Sequence, residues 1–404
     1  MGQAEPGVSA PLPLAGFRIL TAEQYGAAPY GTLFLAQLGA EVIKIEPPQG
    51  GDTARAVGPH YFREGESLYF QAFNAGKRSL TLDLRRPEGQ AVLHRLVRGA
   101  HAVANNLRGD IPARLGLDYD ALAPHNPAIV CAHLSSYGRD NPRAAWPGYD
   151  YLMQAEAGFL ALTGEPDAPP TRFGLSVVDF MTGAQMSIGL LAALLAAQRT
   201  GKGCDVDVDL LSVALHQTSY PAIWYLNEGD EIGRAPRSAH PSVTPSQLFR
   251  AADGWIFVMA QLPKFWTVLT DLVGRPDLAA DPRFVDYEAR LANRAQLTDE
   301  LDAVFSQQPV AHWLALLQGK VPVAPVHGLG QALDHPYFRQ TGMVTEVDHP
   351  ARRGLKVLAN PIKVDGKRLP AAPAPFLGDD TDAVLREAGF SDGEVAQLKE
   401  AGIV

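Results

Sequence analysis

The feature that most restricts the fold of this chain is a strand-then-helix rhythm over its first half. Residues 17–21 (FRILT) form a short apolar strand, and residues 30–38 a helical stretch closed by Gly39. Residues 41–45 (EVIKI) alternate as a strand, and residues 80–84 (LTLDL) repeat the pattern. Pro87–Val97 reads as a helix, with proline at its start and Gly99 past its end. Residues 102–104 and 128–134 supply two more strands. This rhythm implies an α/β fold with a largely parallel sheet and helices on both faces. In such sheets ligands bind beyond the carboxyl ends of the strands.

Residues 182–199 (TGAQMSIGLLAALLAAQR) are apolar on nearly every side, which predicts a buried helix. The run before it, residues 175–178, is strand-like, and residues 205–211 (DVDVDLL) alternate as a strand. Residues 227–245 are polar and rich in Gly, Pro and Ser, the composition of a linker. A smaller α/β unit follows, with a strand at 255–260, helices at 264–273, 293–305 and 310–317, and a strand-like segment at 321–326. Two helices, 381–388 and 392–400, end the chain.

Hydrophobic residues make up 46% of the 404 and charged residues 20%, enough apolar material for a sizeable core. The net charge of −9 argues against nucleic acid or an anionic membrane surface as partner. An acidic chain that binds an anionic ligand must gather Lys and Arg locally. The two cysteines, Cys131 and Cys204, read as buried thiols rather than a disulfide framework or a metal site. The opening residues show no basic and apolar leader pattern, and the longest apolar run, 188–197, is too short for a bilayer. A soluble, cytoplasmic protein is expected. The sequence carries no Walker A loop, no Gly-x-Gly-x-x-Gly after a strand, no His-Glu-x-x-His, no Cys-x-x-Cys and no Gly-x-Ser-x-Gly.

Four stretches are specific in combination. They are LGAEVIKIEPP (38–48) with Gly51, Asp52 and Arg55; NAGKRSLTLDL (74–84); RLGLDYDAL (114–122) with Asn126 and Pro127; and Pro169 through Gly174, Asp179 and Gly183 to TGKG (200–203). VPVAPV (321–326), His335-Pro336 and FLGDDT (376–381) continue the series. Their ordered conjunction resembles the class III CoA-transferase family, the CaiB/BaiF type that includes formyl-CoA transferase and carnitine CoA-transferase, with α-methylacyl-CoA racemase as a relative. The resemblance implies a Rossmann-like large domain built from both chain ends, a smaller inserted α/β domain, and an interlocked homodimer. The corresponding bounds are 1–226, 227–330 and 331–404. It also implies acyl-CoA and a small carboxylic acid as substrates, with no metal and no prosthetic group.

Asp179 stands before the buried helix. Read from the sequence alone it is a helix N-cap, with Thr182 as an alternative cap. The resemblance makes it the catalytic nucleophile, a carboxylate that attacks a thioester carbonyl. Positions matching the family's coenzyme A contacts are Gly26, Ala27, Leu82, Asp83, Leu84, Arg85, Asn106, Leu107, Arg108, Arg114, Tyr149 and Asp150. Arg85, Arg108 and Arg114 are the candidates for phosphate contact, each also readable as a surface charge. Lys77 and Arg78 divide between ligand contact and structural pairing, and Lys44 reads as structural.

Departures from the family pattern bear on specificity. Formyl-CoA transferase has glutamine where Gly26 stands and arginine where Pro47 stands, and its glycine-rich loop has no counterpart between Asn227 and Trp255. The donor and acceptor acids therefore stay open, between dicarboxylic and short branched acids. Ser238-Ala239-His240-Pro241 reads either as an acyl-pocket wall or as a plain turn. The racemase branch uses a histidine in a Gly-His-Asp triplet, and this chain has Gly148-Tyr149-Asp150. A phenol, ordinarily titrating near about 10, is a poor base at neutral pH. Racemisation is thereby disfavoured, and a CoA-binding module without turnover is the other alternative.

Overall fold

The computed structural model describes residues 11–404. The reading of the opening residues as lacking a leader lies largely outside them. The chain divides into two compact units. One gathers the residues up to Ala157, Gly174–Thr218 and Pro336–Val404; the other holds Gly158–Phe173 and Ser219–His335.

The first unit is built on a six-stranded sheet: β1 (Arg18–Ala22), β2 (Glu41–Glu46), β3 (Arg78–Thr81), β4 (Ala102–Asn105), β5 (Val130–Ser135) and β6 (Asp205–Asp209). Every neighbouring pair is parallel. The spatial order is β3-β2-β1-β4-β5-β6. Strand order thus reverses between β1 and β4, and the loops leaving those two strands diverge to open a crevice. All six residues of β5 are buried, as expected where helices cover both faces.

Two strands end earlier than their apolar patterns predict. β3 ends at Thr81: the Leu82 amide makes the last bond to β2, donating to Glu46 O, and the Asp83 amide turns away to Ile403 O, each at 2.8 Å. β6 stops at Asp209, whose carboxylate accepts the Ser212 amide at 2.8 Å and so starts a helix at Leu210.

The helices that matter here are α1 (Ala27–Gln37), α2 (Leu68–Asn74), α3 (Pro87–Val97), α4 (Asp150–Glu156), α5 (Val177–Thr200) and α6 (Leu210–Gln217). α5 begins five residues before the predicted start, so residues 175–178 do not form a strand. The Phe180 amide already donates to Ser176 O at 3.2 Å. With 24 residues, α5 is by length and composition able to cross a membrane, which the 188–197 run alone does not reveal. Val178, Thr182, Gly183, Met186, Leu190, Leu194 and Ala197 form its buried side. Its outer side is not covered by this chain: Ile188 and Leu195 are each 60% exposed, against the expectation of burial all round.

α1 and α5 pack backbone against backbone. A Cβ on Gly183 would overlap the Ala27 carbonyl oxygen and stand 3.0 Å from Gly31 N. A Cβ on Gly31 would overlap the Gly183 carbonyl oxygen and stand 2.8 Å from Ser187 Oγ. Only glycine at both positions allows this approach.

The chain end returns to the first unit's core, where Val384, Leu385, Val395 and Ile403 pack with Leu20, Ile43, Leu80 and Leu96. A hairpin, Val344–His349 with Arg352–Leu358, precedes that return and gives no clear turn signal in the sequence. The second unit carries an antiparallel sheet of Ser246–Arg250, Trp255–Met259 and Val323–Pro325. Its core is rich in rings: Phe249, Trp266, Phe284, Phe305 and Trp313. It begins at Ser219 rather than near residue 227, because Tyr220 stacks on His240, 5.7 Å between ring centroids. It also takes in residues 158–173, which Arg234 holds through the carbonyls of Glu165, Ala168 and Pro169. Of the two cysteines, Cys131 is buried as expected. Cys204 is exposed, because it precedes the edge strand β6 instead of lying inside the sheet.

The α1–α5 contact generates a stability prediction. Gly183→Ala forces the helices apart and is expected to cost about 1–3 kcal/mol, the usual range for overpacking. Denaturant unfolding checks it; an unchanged midpoint would show that the helices separate without cost.

Candidate active site

Asp179 is the third residue of α5, in its first turn. The N-cap position belongs to Ser176, and the Thr182 hydroxyl donates to Val178 O at 2.7 Å, so neither Asp179 nor Thr182 caps the helix. The Asp179 carboxylate is left available for other work. Its backbone amide donates to Asp150 Oδ2 at 2.9 Å, and Asp150 Oδ1 accepts Gln154 Nε2 at 2.6 Å. Asp150 is 4% exposed. It therefore sits beneath Asp179 and orients the first turn of α5; it is not among the residues lining the cavity that holds Asp179.

Burial raises the Asp179 carboxyl to about 7, and the nearby Asp150 carboxylate adds to the rise. Tyr69, on α2, is pushed up to about 12, by burial first and then by the Asp179 charge. A carboxylate that titrates near neutrality in a partly dry site is poorly solvated when charged, and such perturbed groups mark functional sites.

The backbone facing Asp179 is the turn from β1 into α1. Gly26 lies so close that a Cβ there would be 3.2 Å from Asp179 Oδ2. The preceding residue, Tyr25, has φ of 60°, the left-handed region that non-glycine residues seldom adopt. A buried charge cluster holds it there. Asp52 Oδ1 accepts the Tyr25 amide at 3.1 Å, and Lys44 Nζ lies 2.9 Å from Asp52 Oδ2. Lys44 also donates to the Glu23 carbonyl at 2.8 Å. The Glu23 carboxylate accepts Lys77 Nζ at 2.7 Å and the Thr32 hydroxyl at 2.9 Å. Burial works to raise the Glu23 carboxyl, but Lys77 and Lys44 overcome it and hold it below the usual range. Lys77 and Lys44 are thus structural, spent on fixing the turn. Arg78 is structural as well, pairing with Glu41, Asp380 and Glu387.

The crevice at the strand-order reversal consists of three adjoining cavities. The first, about 200 Å³, contains Asp179 and is lined by Gly26, Ala27, Asn106, Leu107, Arg108 and Tyr149 among others. Through Gln24 and Leu107 it meets a second, of about 400 Å³, lined by Leu82, Asp83, Leu84 and Arg85. Through Leu84, Arg85 and Leu115 that one meets a third, of about 930 Å³, which reaches Arg114 and His94. Except for Asp150, every residue matched to the family's coenzyme A contacts lies on this run with Asp179, whereas Ser238, Ala239, His240 and Pro241 belong to the second unit. The strand-end loops after β1, β2, β3 and β4 all contribute to it, which places residues 26, 85 and 107 along one run that starts at Asp179 on α5.

The three arginines stand along the run, each tied to a neighbouring carboxylate. Arg85 pairs with Asp83, at 2.8 Å, and Arg108 with Asp110, at 2.6 Å; Arg114 reaches the same Asp110 at 3.3 Å. These pairs are solvent-exposed and short in sequence, so an incoming anion can compete for the guanidinium groups at little cost. Sequence reading missed Tyr25, Trp146 and Tyr69. Tyr25 and Trp146 sit in irregular loops whose course no periodicity predicts, and Tyr69 lies on a helix of seven residues that carries no clear sequence signal.

Fold and site together define a parallel α/β protein with a desolvated carboxylate at one end of a long strand-end crevice. The family model described as CoA-transferase family III matches residues 14–381. The acetyl-CoA:oxalate CoA-transferase of Acetobacter aceti is 35% identical over 93% of this chain and 95% of its own length. The succinyl-CoA:mesaconate CoA-transferase of Haloarcula hispanica is 33% identical over 94% and 97%. The crystal structure of a CAIB/BAIF family protein from Brucella suis superposes with a TM-score of 0.82 at 33% identity, covering 94% of this chain and 100% of that one. This chain belongs to CoA-transferase family III.

The raised carboxyl makes a pH prediction. Below about pH 4 Asp179 is protonated both folded and unfolded, and its burial carries no charge penalty. Between about pH 4 and about pH 7 the unfolded chain ionises it first, so folding stability falls as pH rises. Asp179→Asn removes that penalty. Its Tm minus that of the wild type is expected to grow from about pH 5.5 to about pH 8.5; a difference independent of pH would contradict the buried, charge-opposed setting.

Proposed function

We propose that this protein moves coenzyme A from an acyl-CoA to a free carboxylic acid, with Asp179 as the covalent nucleophile. The observation that carries the reading is a poorly solvated carboxylate in the first of three adjoining cavities that run past Arg108, Arg85 and Arg114. An Asp179 oxygen attacks the thioester carbonyl carbon; the C–S bond breaks and CoA thiolate leaves, forming a mixed anhydride. The thiolate then attacks the aspartyl carbonyl, and the donor acid departs as a carboxylate carrying one former Asp179 oxygen. The acceptor carboxylate attacks the aspartyl thioester, expelling CoA thiolate and forming a second anhydride. The thiolate attacks the acceptor's carbonyl carbon, giving the new acyl-CoA and freeing Asp179. No proton is gained or lost overall.

Each step develops negative charge on a carbonyl oxygen. α1 opens at Ala27 without a side-chain cap, and Pro29 has no amide hydrogen. The amides of Ala27 and Ala28, the first-turn donors left once Pro29 and the Tyr30–Gly26 bond are set aside, are suited to such an oxyanion, aided by the helix dipole. Arg85, Arg108 and Arg114 are the proposed partners of the coenzyme's phosphates, and Leu82, Leu84 and Leu107 of its apolar portions. Asp150 is proposed to act through Asp179, by fixing the α5 turn and weakening the charged carboxylate's stability. An interlocked homodimer in the cytoplasm is part of the same reading. The exposed apolar residues Ile188 and Leu195 on α5, with Leu215 on α6, support a covering partner.

Incubation with acetyl-CoA followed by borohydride or hydroxylamine is expected to trap a covalent change on the peptide containing Asp179, read by mass spectrometry. Asp179→Ala is expected to lose transfer by a factor on the order of 10³ or more while CoA affinity stays within a few-fold. Turnover retained by that variant would end the proposal.

A further inference from the structure

The loop that follows β4 carries Asn106, Leu107 and Arg108 into the cavity that holds Asp179. Its position rests on a line of side chains that runs back through the sheet. Asn105, the last residue of β4, lies beside Ala22 of β1 on one side and His133 of β5 on the other. Asn105 is 0% exposed and His133 1%, so both are sealed within this chain. The Leu107 amide is a donor and points at Asn105 Oδ1, 3.4 Å away, which fixes the orientation of the Asn105 amide group. Asn105 Nδ2 therefore donates to His133 Nδ1, at 2.8 Å. With Nδ1 accepting, the ring proton stands on Nε2, which donates to Asp205 Oδ1 at 2.9 Å. Asp205 is anchored in turn by the Tyr119 amide at 2.9 Å and by Arg139 at 3.5 Å.

At the other end of the line, Asn106 braces the turn that faces Asp179. Its Oδ1 accepts the Gln24 amide at 2.8 Å, and its Nδ2 donates to the Gln24 carbonyl at 2.7 Å. Tyr25 and Gly26 follow directly, and Asp52 holds the Tyr25 amide. His133, two strands away from β1, thus fixes how Asn105 ends its strand and where Asn106 meets Gln24. Through that contact it sets where the first amides of α1 stand relative to Asp179. A shift of about 1 Å in such a support costs far more in rate than in ligand affinity, because the reacting geometry is the stricter demand.

We propose that His133 is a positioning residue for the chemistry at Asp179: as an acceptor at Nδ1 it locks Asn105, and through Asn106 the Gln24–Gly26 turn, in the geometry the reaction requires. The inference rests on Asp179 being the acyl-accepting carboxylate. It assigns His133 no contact with substrate and no proton transfer; the ring acts through the backbone it holds.

Two variants separate positioning from packing. His133→Asn places a side-chain oxygen where Nδ1 stands and keeps an acceptor for Asn105. His133→Gln extends to the Nε2 side, keeping a donor for Asp205 and losing that acceptor. The assay is isotope exchange between an acyl-CoA and its own labelled acid, acetyl-CoA with acetate or succinyl-CoA with succinate. His133→Gln is expected to lower kcat by about tenfold or more while CoA affinity stays within about threefold; His133→Asn is expected to stay within about threefold of the wild type in both. Equal kcat in the two variants, or a loss confined to CoA affinity, overturns the inference. Should a variant not fold, nitrogen NMR of the histidine-labelled wild-type protein decides: a proton on Nε2 and none on Nδ1 of His133 is expected, and a proton on Nδ1 overturns the inference. A wild-type protein with no exchange and no trapped Asp179 adduct is a separate result: it removes the nucleophile, and this inference with it, whatever the ring's proton.

Discussion

The glycine-to-glycine contact of α1 and α5 is the constraint on which the site depends. Gly31 and Gly183 let two helix backbones touch, with Gly183 one turn beyond Asp179. That contact sets the height of Asp179 against the first residues of α1. One turn of helix fixes the distance of the Asp179 carboxylate from Gly26, so backbone packing beneath the carboxylate determines its geometry. Close-packed interiors transmit such constraints because they have little free volume to absorb a shift.

Two kinds of buried charge then divide the work. Glu23, Lys44, Asp52 and Lys77 are all nearly inaccessible, and each finds a partner of opposite sign. Such a cluster adds little net stability, since desolvation offsets most of the attraction. What it does is specify one conformation: it clamps both sides of the Tyr25 turn, whose left-handed backbone would otherwise relax. Asp179 is the opposite case, a carboxylate placed near another carboxylate and away from water. The paired charges are scaffolding, whereas the opposed charge is left without a compensating partner of opposite sign. A proton held near neutral pH on such a group is the electrostatic sign of a carboxylate prepared to form a bond.

The parallel sheet was legible because strands buried on both faces are written as continuous apolar runs, as in residues 128–134. Where a strand's end depends on a tertiary hydrogen bond, as at Asp83, the apolar pattern ran on past it. The start of α5 was hidden for a related reason: residues 175–178 alternate over too short a stretch to declare a period. Asp179 itself was ambiguous in isolation, since a cap and a nucleophile share a residue type; the folded chain gives the cap position to Ser176. The contributions of Tyr25, Tyr69 and Trp146 were not legible. They arise from loop courses, and from a helix of a few residues, that only the folded chain defines. Asp150 was legible as a site residue but not in its role, because a sequence match carries no information on which face of the backbone a carboxylate addresses.

The central claim is that an oxygen of Asp179 leaves with each departing acid and is replaced from the incoming one. The direct measurement is a few turnovers with an acceptor acid whose two carboxyl oxygens are a heavy isotope, followed by digestion and mass analysis of the peptide bearing Asp179. The account predicts that this peptide gains heavy oxygen as labelled acyl-CoA forms. Labelled product accumulating while the Asp179 peptide keeps its natural mass would show that the carboxylate never forms an anhydride, and would contradict it.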